Sequence, residues 1–364
     1  MVVYSNDLIG KQESVADEML LLNPLQTPML NLVGFGIPVT NVEHVWFEDE
    51  MFEQESALTA ALTADATSIE VENGEAFRSR QVIRIGEELI LVAKVEGEKL
   101  TVLRGYADTV AAAAEVGEVV EVMFVEGEEG ADARDVRHKP RKRVSNLTQI
   151  FDETVEITGT AMAVTQHGVD NEYEKEKQKK QLELALALEK AVINGIKYEK
   201  GNKRMMRGVR SFIQTNVIKA NGAAISDEHL IEAFRAIFEK SGSTASGNYK
   251  IIVGATQKIA ISNFDNASIR LDRMDNGRGS VVDHYISDFG NAEILLNNNM
   301  PAGEILVIDA NRLSIRPLQT REFAHTYLGK KGDYMQGMIV GEYTLEMLQE
   351  AAHAKITGLS TKRK

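Results

Sequence analysis

Residues 170–197, DNEYEKEKQKKQLELALALEKAVINGIK, constrain the fold more than any other stretch. Asp170 can cap a helix, and Glu172, Glu174 and Glu176 put negative charge on the first two turns, where the helix dipole favours it. Leu182, Ala185, Leu186, Leu188, Val192, Ile193 and Ile196 then recur at helical spacing and form one apolar stripe. At about 1.5 Å per residue, such a helix runs roughly 40 Å, long for a globular domain. Its first half is charged and its second half apolar, so only the second half can enter a core. Taken alone, the stretch also suits a long surface helix of an ordinary domain.

A single core stops growing at roughly 250–300 residues, so a chain of 364 should divide into two or three units. Its 43% hydrophobic content is that of a globular protein. The net charge of -13 argues against a nucleic-acid binder. Cysteine is absent, which excludes disulfides, thiolate catalysis and cysteine-ligated metal and fits a reducing cytoplasm. The opening MVVYSNDLIGKQESVADEMLLL lacks the basic-then-apolar order of a secretion signal. No run approaches the ~18 apolar residues of a membrane span.

Residues 1–40 read as an arm: a short amphipathic helix over 12–22, then apolar pieces (Met29, Leu30, Leu32, Val33, Phe35) broken by Pro24, Pro28, Gly34, Gly36 and Pro38. Pieces this short bury little by themselves and should pack on the body or on a neighbouring copy. A strand is predicted over 42–51, with Val45 and Phe47 on one side and Trp46 on the other. Residues 57–124 then carry repeated short β signals (68–71, 81–85, 88–95, 100–103, 118–124) with turns at Asn73-Gly74, Gly86 and Glu96-Gly97, which predicts a compact β-module. A basic run (Arg137, His138, Lys139, Arg141, Lys142, Arg143) leads to a further strand over 147–158. That strand should pair with 42–51 as a stem, making the module an insertion. Beyond the long helix, 200–210 reads as a basic loop. A helix at 226–240 is expected to bury Leu230, Ile231, Phe234, Ile237 and Phe238. Strands are predicted at 249–253, 280–294, 304–308, 314–318 and 335–345, a helix at 255–264, and a final apolar strand or short helix over 345–359 before a basic tail. Mixed rather than alternating elements point to an α+β fold.

No catalytic constellation emerges. The seven histidines are scattered singly, without ligand spacing. Gly277-Arg278-Gly279 does not follow a strand and open a helix, as a phosphate loop must. Asp265, Asp272 and Asp275 do not fit a calcium loop. With 54 acidic residues, adjacent carboxylates occur by chance, and no pair stands apart as acid and base; a hydrolase or sugar-binding protein built on such a pair is the weakest reading. The basic run lacks interleaved aromatics, so pairing with acidic groups of another subunit competes with phosphate contact.

Residues 146–169 (NLTQIFDETVEITGTAMAVTQHGV), running into the long helix, resemble the major capsid proteins of SU10-type tailed phages. So do residues 67–109 (TSIEVENGEAFRSRQVIRIGEELILVAKVEGEKLTVLRGYADT). The resemblance implies an HK97-like capsid fold. In it, residues 1–40 form the N-terminal arm, and 41–150 an extended loop carrying the inserted module (about 57–124). Residues 151–207 belong to the peripheral domain with its spine helix 170–197, 208–310 form the axial domain, and 311–364 complete the peripheral domain and the tail. It also implies pentamers and hexamers of an icosahedral shell around double-stranded DNA held without sequence-specific contacts.

The same resemblance implies no enzyme activity, cofactor, metal or membrane. No long charged helix opens the chain, which suggests a separate scaffolding protein, beside a portal and possibly a decoration protein. Hydrophobic pattern and fold analogy nominate Met29, Leu30, Leu32, Phe35, Trp46, Phe47, Arg137, Arg141, Arg143 and Phe151 as subunit-interface residues. The alternative on the same fold is an encapsulin-like cellular compartment, which ranks second because encapsulins generally lack the inserted module.

Overall fold

The computed structural model describes residues 27–127, 129–130, 136–164, 171–241, 247–263, 284–330 and 332–361. The helix expected over 12–22, Asp170, the acidic residues Asp265, Asp272 and Asp275, and Gly277-Arg278-Gly279 lie outside them. The chain forms two compact units: Met1–Trp46 with Val144–Lys364, and the insertion Phe47–Arg143.

The described chain begins with α1 (Pro28–Val33), whose N-terminal proline lacks only a donor that the first turn would leave orphaned. It then enters β1 (Glu43–Glu48). The insertion contains β2 (Glu55–Ala57), β3 (Ser68–Glu70), β4 (Gln81–Ile85), β5 (Glu88–Glu96), β6 (Lys99–Leu103) and β7 (Val119–Val125). These pair in the order β2-β7-β4-β5-β6-β3. A bridge between Leu58 and Val71 joins the two outer strands and closes the sheet into a barrel. Alternation sends Ile83, Ile85, Ile90, Val92, Leu100 and Val120 inward to a core of their own. The turns after β4 and β5 use Gly86 (φ 56) and Gly97 (φ 62), conformations that favour glycine. A buried pair sits among the barrel's loops. Arg104 Nε and Nη2 donate to Glu88 at 2.8 and 2.6 Å, and Glu88 also accepts from the Gly105 and Ala112 amides.

The chain returns through β8 (Lys142–Leu147), which pairs with β1, and then forms β9 (Gln149–Thr158). The expected stem partner therefore shifts. Residues 142–147 pair with β1, whereas β9 pairs with a later strand, because Phe151, Val155 and Ile157 need a buried face. A short α2 (Gly159–Ala163) precedes α3 (Glu172–Asn194), the long helix, about 34 Å by its 23 residues. Its cap is Asn171, whose Oδ1 accepts from the Tyr173 and Glu174 amides. Its polar half is laced by Lys177–Glu174, Lys179–Glu176 and Lys180–Glu183 pairs. Leu184, Leu188, Val192 and Ile193 enter the core, while Ile196 lies past the helix end and is exposed.

The predicted basic loop folds as a hairpin, β10 (Tyr198–Lys200) and β11 (Lys203–Met205), followed by α4 (Val209–Phe212). The remaining elements are β12 (Val217–Lys219), α5 (Asp227–Ser241), β13 (Tyr249–Val253), α6 (Ala255–Ser262), β14 (His284–Ser287), β15 (Gly290–Leu296), β16 (Ile305–Asp309), β17 (Leu313–Pro317), β18 (Ala324–Lys330), β19 (Tyr334–Met347) and β20 (Ala354–Thr357). A six-stranded mixed sheet runs β12-β20-β16-β13-β15-β14. Its continuous apolar runs reflect burial on both faces. Ile251, Val253, Ile305 and Val307 join a core with Leu230, Phe234 and Ile237 of α5, whereas Ile252, Leu306 and Ile308 join the core holding α1 and α3. Ile231 and Phe238 of α5 are partly exposed, against expectation, since they lie at the edges of its stripe. The apolar stretch after 345 is three things: the end of β19, a short turn of helix, and β20, which enters the six-stranded sheet between β12 and β16. In the second sheet β19 pairs with β9 on one side and with β17 and β18 on the other.

Candidate assembly surfaces

The structure divides the ten nominated interface residues. Met29 and Leu30 of α1 are buried in the chain's own core, so their side chains offer nothing to a neighbour. Their amides donate to Glu189 of α3 at 3.0 and 2.9 Å, and Asn297 Nδ2 donates to the same carboxylate at 2.6 Å. Glu189 is fully buried, and burial pushes its carboxyl up from the ordinary range against the pull of these three donors. Its only signal in the sequence is a carboxylate placed within the apolar half of the helix. Trp46 is buried against Phe212, ring centroids 6.0 Å apart, and Phe151 lies in the same core. All four belong to the core of their own subunit. Leu32 packs partly buried against that core.

Phe35 and Phe47 are the exposed members, at 59% and 67%. Around Phe35 the arm adds to an edge of the second sheet. Phe35 bridges in parallel to Ile315 and Val39 to Leu318, and the Gly36 and Val39 amides donate to the Ile315 and Pro317 carbonyls at 2.8 Å. A Cβ at position 36 would meet the Ser314 hydroxyl, which would have to turn aside.

The basic run finds its partners within the insertion. Arg137 lies over the Phe52 ring at 4.0 Å and donates to the Glu75 and Ala76 carbonyls. Burial holds its guanidinium below its ordinary value. Lys139 pairs with Glu50 at 3.4 Å and Arg141 with Asp49 at 3.5 Å, while Arg143 stays on the surface in β8. Arg137, Lys139 and Arg141 line an open cleft of about 680 Å³ together with the acids Asp49 and Glu50. Within its own chain Arg137 therefore meets a ring and two carbonyls, and Arg141 an exposed carboxylate.

Two further buried acids, which sequence reasoning misses, lie on one face of β19. Glu342 accepts from Thr148 Oγ1 at 2.5 Å and pairs with Arg204 at 2.9 Å and Arg321 at 3.0 Å. Glu346 meets His44 at 2.9 Å and also Arg316; burial pushes its carboxyl up, but these partners outweigh it and hold it below its ordinary value. Their signal in the sequence is alternation inside an apolar strand, EYTLEM. Each carboxylate is saturated by structural donors, and none is left to take a substrate proton. Among the described residues no cluster of three or more His, Asp or Glu could hold a metal, and no helix is long and apolar enough to cross a membrane.

A long helix against a strand-rich body, an arm docked on a sheet edge and an inserted barrel make up an HK97-like capsid fold. The fold comparison agrees. The chain resembles the capsid of an empty GTA particle (TM-score 0.58, 9% identity, 98% of each chain covered). It also resembles the cyanophage A-1(L) capsid (0.56, 10% identity, 98% of each) and Gordonia phage Cozz (0.53, 11% identity, 97% of this chain and 92% of that). A search of curated proteins returns no match. The profile of the SU10 major capsid protein family matches residues 2–360, and the chain belongs to that family. It is a structural protein of a phage shell, not an enzyme, and it assembles with copies of itself.

Proposed function

We propose that the chain forms the pentamers and hexamers of an icosahedral shell that encloses double-stranded DNA without reading its sequence. Residues 1–40 act as the arm, 41–150 as the extended loop with the barrel at its far end, and α3 as the spine of the peripheral domain. The region from 208 to 310 serves as the axial domain. A separate scaffolding protein guides assembly, a portal occupies one vertex, and a decoration protein has the barrel's outer surface available. The interface role passes to those nominated residues that the subunit leaves exposed, Phe35, Phe47, Arg141 and Arg143. One observation carries the reading: the family profile spans nearly the whole chain, including the inserted barrel.

The test is to produce the chain alone and with the scaffolding protein encoded beside it, then to measure size by sedimentation and negative-stain microscopy. Closed shells tens of nanometres across, or five- and sixfold capsomers that become shells, are the expected result. A monomer under both conditions overturns the proposal. Closed shells that never take up DNA in the presence of a portal would favour the cellular-compartment alternative.

A further inference from the structure

The hairpin β10–β11 is a two-stranded sheet of its own. Its register sets Tyr198 opposite Met205, Glu199 opposite Arg204 and Lys200 opposite Lys203. Side chains alternate, so Tyr198, Lys200, Lys203 and Met205 share one face, and Glu199 and Arg204 share the other. The second face is occupied at home, since Arg204 reaches the buried Glu342. The first face is not. Tyr198 and Met205 are each 43% exposed, both lysines are exposed, and none of the four makes an ion pair or side-chain hydrogen bond with a described residue.

This face conflicts with isolation in water. Two like charges directly opposite on a ladder repel, and the Tyr198–Met205 pair leaves apolar surface in water. An apolar surface under the Tyr198–Met205 pair, with carboxylates under the Lys200–Lys203 pair, relieves both. We propose that this face docks on a carboxylate-bearing apolar surface of a second copy of this chain. Charge complementarity selects that occupant: 54 acidic against 41 basic residues make each copy an excess donor of carboxylates. Duplex nucleic acid supplies phosphates for the lysines but no aliphatic surface for Tyr198 and Met205. The inference rests on the shell reading and names one of its contacts.

The test compares wild type, Lys200→Glu/Lys203→Glu and Lys200→Arg/Lys203→Arg under conditions in which wild type forms shells. The glutamate pair should cut shell yield about tenfold or more, while its isolated subunit keeps the wild-type melting temperature to within about 2 °C. The arginine pair, which keeps both charges, should assemble as wild type does. A glutamate pair with wild-type yield overturns the proposal. Wild-type yield with reduced DNA content also overturns it and assigns the face to nucleic acid. Sedimentation of the wild-type subunit at low and high salt separates this inference from the shell reading. Salt-sensitive self-association that the glutamate pair abolishes supports the contact even where no shell closes. A wild-type subunit that is monomeric at low salt and never forms shells overturns both.

Discussion

The inserted barrel and the sheet built on β19 meet the same difficulty, the free edge of a strand, in different ways. The barrel closes on itself through the bridge from Leu58 to Val71, within the insertion and with no help from the rest of the chain. The sheet's β17 edge is covered by residues 35–39 of the arm, held in place by α1 and the carboxylate of Glu189. Closure by a strand's own neighbours is permanent while the unit is folded. Closure by a distant segment can be undone without unfolding the sheet, and it then leaves backbone donors and acceptors open to another chain.

The contrast can be broken most severely in the barrel. Arg104→Met leaves Glu88 buried without its cation, at a cost of about 3–5 kcal/mol. Hydrogen exchange should lose protection across residues 55–125 and keep it across 305–357; loss spread evenly over both would mean the two regions are not independent.

Acid should act in the opposite order. His353 lies fully buried in the body, and burial depresses its imidazole to about 4 from 6.5. The unfolded chain takes up this proton first, so the stability it contributes is complete above about 6.5. That stability is lost as pH falls to about 4, a change on the order of 3 kcal/mol. In the barrel burial raises the Glu88 carboxyl, but Arg104 and the Gly105 and Ala112 amides outweigh it and set it below 4.5, so its contribution persists until pH falls beneath that value. Urea midpoints measured from pH 7 to 4 should therefore drop in the six-stranded sheet before the barrel, and His353→Gln should flatten the first drop.

A subtler change sharpens the contrast at the arm. Glu189→Gln keeps the shape but turns one acceptor into an amide group, orphaning one of two arm amides at about 1–3 kcal/mol. Exchange should quicken at Met29, Leu30 and residues 35–39 and stay unchanged in the barrel. Arg141→Ala, which removes an exposed pair with Asp49, should shift the melting free energy by less than about 1 kcal/mol.

Periodicity makes the long helix, α5, β13, β16 and the strands of the insertion legible in the sequence, because each buries one regular stripe or a short run. Pairing across long sequence distance is not legible there. Nothing local states that β9 belongs with β19 while 142–147 belongs with β1, since both are strands of suitable length. The burial of Met29, Leu30, Trp46 and Phe151 in their own subunit is illegible for a related reason. An apolar residue in a broken arm or a stem reads the same whether it serves its own core or a neighbour's. The buried acids Glu189, Glu342 and Glu346 are invisible because their partners, two backbone amides, an asparagine, a threonine, a histidine and three arginines, come from elsewhere in the chain.

The pairing of β1 with β8 also bears on ancestry. These two strands are where the chain departs for the insertion and comes back, and as neighbours in one ladder they bring the two splice points together. A segment that begins and ends side by side can be acquired, exchanged or deleted in one recombination event without rerouting the polypeptide on either side. A change of length or sequence within the insertion can therefore leave the path of the strands on either side as it is.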